Sequence, residues 1–275
     1  MTDRDLTAKG FALRRDVVEM IHGAGAGHIG GDLSVMDILV TLYCDEMNIT
    51  PENFDIDERD HFIMSKGHNV EALYAILADR GFFPKEDLKT VSRFGSHYIG
   101  HPTRKIRGIE MNSGSLGHGL PVAVGMALAA KMDCSDRRIY VVMGDGELAE
   151  GSVWEGVMAA GHYKLDNIVL IIDRNHLQIS GTTEVVMSQR DLNECLRGMG
   201  WNVLEAEGHD VTDLRRAFAQ ARKSKGTPTV IIARTTKGYG VSFIENKAGW
   251  HHKVPNETEY REALEELRQK EALCI

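Results

Sequence analysis

Four short apolar runs rich in β-branched residues, at 139–143, 168–172, 203–206 and 229–233, mark the second half of the chain. Each is nearly continuous rather than alternating, as in strands buried on both faces. The segments between them, 153–163, 191–199 and 211–223, carry mixed apolar and charged positions and are predicted helices. Strand and helix therefore alternate, predicting an α/β fold: a parallel sheet with helices on both faces. The first half adds predicted helices at 4–22, 34–47, 70–79 and 120–132, separated by turns rich in glycine and histidine. No repeat, low-complexity tract or Ser/Pro-rich linker interrupts the 275 residues, so a single domain over 1–275 is expected.

Composition narrows the partners. Forty acidic against 32 basic residues give a net charge of −8, which disfavours nucleic acid and anionic membrane surfaces. A phosphate-bearing ligand would then need local positive charge or a metal. The four cysteines are scattered without paired spacing, arguing against a disulfide framework or a cysteine zinc site and in favour of a reducing cytoplasm. The first fifteen residues are charged and lack a signal-peptide core, and no apolar stretch is long enough to cross a bilayer.

In a parallel sheet, ligands gather at the carboxyl ends of the strands. The run 139–143 leads directly into Gly144-Asp145-Gly146, and the run 168–172 ends in Asp173-Arg174-Asn175. Twenty-eight residues separate Gly146 from Asn175, enough for one helical crossover, so Asp145 and Asn175 should become neighbours. A carboxylate and an amide oxygen meeting in this way suit a hard cation such as Mg2+, with Ca2+ or Mn2+ as substitutes, and leave coordination positions for phosphate oxygens. Gly144 and Gly146 would let the backbone approach those oxygens. Either piece alone is an ordinary turn; their separation by a single crossover, with Gly181 closing an Asn-x-x-x-x-Ser-Gly segment, favours the metal reading.

Three histidine turns accompany this pair. His28 lies within Gly23-Ala24-Gly25-Ala26-Gly27-His28-Ile29-Gly30-Gly31, read as a flexible turn between helices. Ser65-Lys66-Gly67-His68 precedes a helix and sets an imidazole beside its positive end. Gly100-His101-Pro102 precedes Ser113-Gly114-Ser115-Leu116-Gly117-His118-Gly119, which opens another helix. His97, His118, His162 and His209 are read as ordinary surface or core histidines.

Taken together these motifs resemble the transketolase family, over roughly residues 6–265. The resemblance implies a thiamine diphosphate-binding fold in which Asp145 and Asn175 give side-chain oxygens, and Leu177 its carbonyl, to the metal. It implies that His68 touches the diphosphate, that Gly114 and Leu116 contact the cofactor through backbone, and that His28 and His101 face the reacting carbon and the sugar hydroxyls. Near the C-terminus, Thr235-Thr236-Lys237-Gly238-Tyr239-Gly240 and Trp250-His251-His252-Lys253-Val254-Pro255 are similar to the family's last histidine segment, with His251 favoured over His252. Two readings of Lys237 stand, a diphosphate ligand or a surface lysine. Glu150 matches a family position at the contact between subunits and is grouped with the cofactor set, a helix N-terminal charge being the other reading.

The same resemblance supplies an activity: His28, His101 and His251 would move protons while a two-carbon ketol unit passes from a ketose, phosphorylated by expectation, to an aldose. Full transketolases carry a further pyrimidine-binding domain, so a separate C-terminal subunit is expected to complete an α2β2 heterotetramer. The alternatives are the α subunit of a 2-oxo acid dehydrogenase and a noncatalytic assembly subunit. A dinucleotide enzyme is disfavoured because no strand is followed by Gly-x-Gly-x-x-Gly.

Overall fold

A computed structural model describes residues 1–274. Five parallel strands form one sheet in the order β1 (His61–Met64), β2 (Ile139–Gly144), β3 (Ile168–Arg174), β7 (Thr229–Arg234), β6 (Asn202–Glu207). A two-residue hairpin, β4 (Leu177–Gln178) with β5 (Gly181–Thr182), stands apart from it. The helices are α1 (Asp3–Ala24), α2 (Ile29–Thr41), α3 (Val70–Asp79), α4 (Gly119–Met132), α5 (Gly151–His162), α6 (Thr183–Met187), α7 (Leu192–Gly198), α8 (Val211–Lys223) and α9 (Glu257–Cys274).

The continuous apolar runs are explained by two cores, one on each face. Tyr140, Val142, Val169, Ile171 and Ile231 join α1, α2, α3, α8 and α9 on one side. Their neighbours along the strands, Val141, Met143, Leu170, Ile172 and Val230, join α4, α5 and α7 on the other. Successive side chains of a strand point to opposite faces, so a strand covered twice must be apolar at every position. Each fully buried Val, Ile or Leu contributes roughly 1.5–3 kcal/mol of transfer free energy.

Differences from the sequence-based expectation have local causes. The run at 203–206 reads as doubly buried, but β6 is an edge strand, and Glu205 and Glu207 point outward to ion pairs with Arg234 of β7. Residues 62–64 form most of β1, the other edge. The glycine turn is shorter than expected: α2 begins at Ile29, so Gly30 and Gly31 are helical. Both positions need glycine for closeness of approach, since a Cβ on Gly30 would lie 2.9 Å from the Trp250 carbonyl and one on Gly31 would lie 2.5 Å from Asn69. The helix expected over 34–47 changes at Leu42–Glu46 into a π-helical turn. Helix α9 has no sequence forecast; only Ala263, Leu264 and Leu267 of its highly charged surface are buried, too few to stand out as a periodic stripe. Among the described residues no helix is long and apolar enough to cross a membrane.

Candidate active site

Four strands deliver the site from their carboxyl ends. Strand β1 leads to Lys66 and His68, β2 to Asp145, β3 to Asn175, and β7 to Lys237. These residues line one cavity of about 320 Å³, together with His28, His251, Gly114, Leu116 and Leu177. Such a volume lies at the small end of the range for small-molecule pockets.

The register of the sheet brings Asp145 to Asn175. Gly144 pairs with Asp173 across β2 and β3, so the two exit loops start side by side. Asp145 ties them together: its Oδ1 accepts from the Gly146 amide at 2.8 Å and its Oδ2 from the His176 amide at 2.6 Å. His176 makes this possible by adopting φ of +63°, a left-handed conformation costing roughly 1–2 kcal/mol in a non-glycine residue. The turn then returns the chain toward the cavity, where the Leu177 amide donates to Asn175 Oδ1 at 3.1 Å. Burial raises the Asp145 carboxyl to about 6, and the neighbouring Asp173 charge adds to the rise.

Around this carboxylate the cavity is cationic. Lys66 is 2% exposed and reaches across β2 to an ion pair with Asp173 of β3. The Lys66 stem passes over Gly144, within van der Waals distance of where a Cβ would sit. Although burial opposes it, Lys66 with Ser34 and Thr235 holds the Asp173 carboxyl below its ordinary value. Lys237 is also 2% exposed, which removes the surface-lysine reading. It makes no carboxylate ion pair among the described residues; its Nζ instead donates to His251 Nδ1 at 2.8 Å. An ammonium has no acceptor capacity, so a neutral His251 carries its proton on Nε2. Burial, with Lys66 nearby, lowers the Lys237 ammonium to about 8.

The histidines respond to the same field. Burial first, and neighbouring cations second, lower His28 to about 4, His68 to about 2 and His251 to about 3. In the pocket as it stands these rings are therefore uncharged at pH 7. His28 is the hub, with its ring centroid 5.1 Å from His68, 5.5 Å from His251 and 6.5 Å from His101. His252 approaches His28 at 4.5 Å but is exposed, whereas His251 lines the cavity. His101 stands beside the cavity wall, a Cβ on Gly114 meeting its ring at 3.1 Å. The φ of +155° at Gly114 adds a second reason for glycine there.

One assignment is corrected. Glu150 is exposed at the start of α5, against Gly117, and does not line the cavity. The buried acid of this turn is Glu147, three residues earlier. Its carboxylate accepts from Ser65 Oγ and from the Gly117 amide at 2.8 Å, joining the β1, β2 and α4 turns. Glu147, Lys66, Asn69 and Gln178 all line the cavity and are absent from the sequence-based set. Lys66 and Glu147 are visible in the sequence only as members of the glycine motifs; Asn69 and Gln178 have no signal. Of the four histidines read from sequence as ordinary, His209 is structural: it accepts from the Thr236 amide, pairs with Asp37 and stacks on Tyr239.

The residues fit an anionic cofactor held through a divalent metal. The candidate metal donors are one carboxylate, one amide oxygen and one main-chain carbonyl, a hard oxygen set. Among the described residues no group of three or more His, Cys, Asp or Glu side chains, the His28 cluster included, is arranged to hold a metal ion by itself. A buried Asp145 forced toward its neutral form gains most from a cation, and a buried Lys237 without a counter-ion gains most from a phosphate. Gln178 Oε1 and Asn69 Oδ1, both of residues in the cavity wall, are buried without a hydrogen-bond partner among the described residues.

The family profile described as "Transketolase, thiamine diphosphate binding domain" matches residues 7–270. The chain is similar to one of the subunits of an apulose-4-phosphate transketolase from Phocaeicola vulgatus, with 50% identity covering 94% of this chain and 92% of the relative. It is also similar to a 6-deoxy-6-sulfo-D-fructose transketolase subunit from a Clostridium species, with 40% identity covering 98% of each. Among solved structures, Campylobacter jejuni transketolase superposes with a TM-score of 0.85 at 31% identity, covering all of this chain and 48% of that one. The chain thus spans about half the length of that longer transketolase. Profile, relatives and superposition agree with the geometry at the strand ends: this chain belongs to the transketolase family, as its thiamine diphosphate-binding domain.

Proposed function

We propose that this chain is the cofactor-binding subunit of a two-chain transketolase, transferring a two-carbon ketol unit from a ketose phosphate to an aldose phosphate. The observation that carries the reading is the Asp145 carboxylate, which bridges the β2 and β3 exit loops in the same cavity as Lys237, a buried lysine that makes no carboxylate ion pair among the described residues. Asp145, Asn175 and the Leu177 carbonyl would hold Mg2+; Lys237 and His68 would hold the diphosphate. When bound, thiamine diphosphate supplies the carbanion stabilisation that carbon–carbon cleavage requires. His28 and His101 would take the proton of a substrate hydroxyl, and neutral His251 would donate a hydrogen bond from Nε2 to a developing alkoxide. In the pocket without ligands His28 and His251 are neutral at pH 7, but their lowered values make them weak bases. A bound diphosphate would raise them by adding negative charge nearby.

The two relatives carry the names of apulose 4-phosphate and of a sulfofructose, and a branched or sulfonated ketose is a fitting donor here too. Glu150, exposed beside the Gly117 turn, fits a chain–chain contact better than a cofactor contact. A separate polypeptide bearing the pyrimidine-binding domain would complete an α2β2 heterotetramer, and the four free cysteines accord with a reducing cytoplasm. The purified chain alone is expected to show no ketol transfer, with turnover appearing on addition of the partner. Offering the pair a ketose phosphate or a 2-oxo acid tests the reaction class; cleavage of the 2-oxo acid alone would reject the ketol reading. In the active pair, His101→Ala should lower kcat by about 10²–10⁴-fold, the usual weight of a general acid–base group. Its affinity for thiamine diphosphate should stay within about threefold, because His101 stands outside the cavity lining. Unchanged kcat would remove His101 from the mechanism.

A further inference from the structure

Behind the His28 and His68 turns lie two buried acids that no step above uses. Asp32, in the first turn of α2, is fully buried, and Glu71, in the first turn of α3, is 1% exposed. No basic side chain forms an ion pair with either among the described residues. Asp32 Oδ1 accepts from the Ala72 amide at 2.9 Å, which already links the two helix starts. The other oxygens, Asp32 Oδ2 and Glu71 Oε2, are both buried without a hydrogen-bond partner among the described residues, and Glu71 directly precedes the Ala72 amide that Asp32 holds, so the two carboxyl groups act on one another. Two buried carboxylates that interact in this way cannot both ionise; one proton between them turns a repulsion into a hydrogen bond.

Position gives the pair its consequence. Its two helices start at the histidines: His28 is the residue before α2, and His68 lies in the turn leading into α3. Glu71 Oε1 backs the His28 turn, 3.2 Å from where a Cβ on Gly27 would sit. Asn69, whose amide packs on Gly31, donates from Nδ2 to the His28 carbonyl at 3.1 Å. We propose that Asp32 and Glu71 share one proton across the α2–α3 contact, and that this link sets the spacing of the His28 and His68 rings. Both are positioning residues. Their bearing on cofactor binding rests on the function proposed above.

Burial raises both acids, Asp32 to about 7 and Glu71 well above its ordinary value; Asp32 adds to the rise at Glu71, whereas a hydrogen bond from Glu71 favours the charged form of Asp32, so the shared proton resides on Glu71. The charged group facing them is Lys66, whose ammonium acts on Asp32 while committed to Asp173; the Tyr74 hydroxyl of α3 senses Glu71. The link is therefore intact at neutral and acid pH and fails as the pair loses its last proton at alkaline pH.

Infrared spectroscopy of the full chain at pH 7.5 should show a protonated carboxyl band that disappears in both Glu71→Gln and Asp32→Asn, where an amide takes over the donor role. Titration with thiamine diphosphate and Mg2+, followed by tryptophan fluorescence, should give Glu71→Gln within threefold of wild type and Glu71→Ala at least tenfold weaker. Affinity of the wild type should decline at alkaline pH, and the decline should be absent from Glu71→Gln and Asp32→Asn. A wild type lacking the band, or Glu71→Gln binding as weakly as Glu71→Ala, overturns the proposal. Where Glu71→Ala does not fold, the two amide variants decide: an alkaline decline equal to that of wild type in both overturns it. A wild type that shows the band yet binds no thiamine diphosphate rejects the cofactor reading and leaves the shared proton standing.

Discussion

Replacing Asp145 with Asn is expected to abolish Mg2+-dependent binding of thiamine diphosphate, with affinity falling by more than about 100-fold. Changes to outer-shell partners of a metal typically cost about 10–100-fold, and Asp145 would be the only charged donor in its set. The amide keeps one acceptor oxygen for the Gly146 or His176 amide, so the loops should remain joined while the charge that attracts the cation is removed. Stability supplies an independent signature. The Asp145 carboxyl is raised to about 6, so the wild-type chain without ligands is most favoured when this group is protonated, below its unfolded value near 4. That contribution, on the order of 3 kcal/mol for a shift of about 2 units, is lost as pH rises through 6. The variant should lack this slope. Thermal melts between pH 4 and 8 check the sign, and melts with and without Mg2+ check the binding: at about 100 times Kd a ligand stabilises by about 2.7 kcal/mol, which Asp145→Asn should forfeit. A variant stabilised by magnesium and cofactor as well as the wild type would refute the metal site.

Lys237→Met should weaken diphosphate binding by about 30–100-fold, equivalent to roughly 2–3 kcal/mol for a hydrogen bond to a charged group. Methionine keeps the stem that packs on Gly30, where Lys237 carbons lie 3.0 and 3.1 Å from a Cβ position, so packing loss should be small. The ammonium is lowered to about 8 in the unliganded pocket. Between that value and the unfolded value near 10.5 the unfolded chain holds more protons, so wild-type stability should rise with pH across this window. The variant should lose that rise. Diphosphate, by opposing the depression, should draw a proton onto Lys237, giving proton uptake on binding at about pH 8.5 that Lys237→Met lacks. Calorimetry in buffers of different ionisation enthalpy measures it. Binding within threefold of wild type, with uptake unchanged, would dismiss Lys237 as a diphosphate ligand.

The metal pair is legible in the sequence because its signal is local twice over. Asp145 and Asn175 each follow an apolar run directly, and a crossover of 28 residues makes consecutive strands neighbours in a parallel sheet. The histidine turns are legible because glycine on either side marks a loop. Lys66 and Glu147 are hidden for the opposite reason. Lys66 finds its counter-ion 107 residues away, across a strand that has glycine at the crossing point. Glu147 differs from Glu150 only in which way a short helical turn faces, and no periodicity reports that over three residues. The edge position of β6 and the weakly amphipathic α9 are likewise set by what packs against them.

What the linear order of residues determined by itself is therefore the sheet, its two cores, and the set of loops that carry chemistry, since backbone pairing and hydrophobic burial act on patterns a few residues long. Tertiary structure alone decided charge. Whether Asp145 resists ionisation, whether Lys237 lacks a counter-ion, whether His28 is neutral at pH 7, and whether Asp32 and Glu71 share a proton all depend on burial and on groups distant in the chain. Coulomb energies scale with separation through space and with local dielectric, and neither can be read along a sequence.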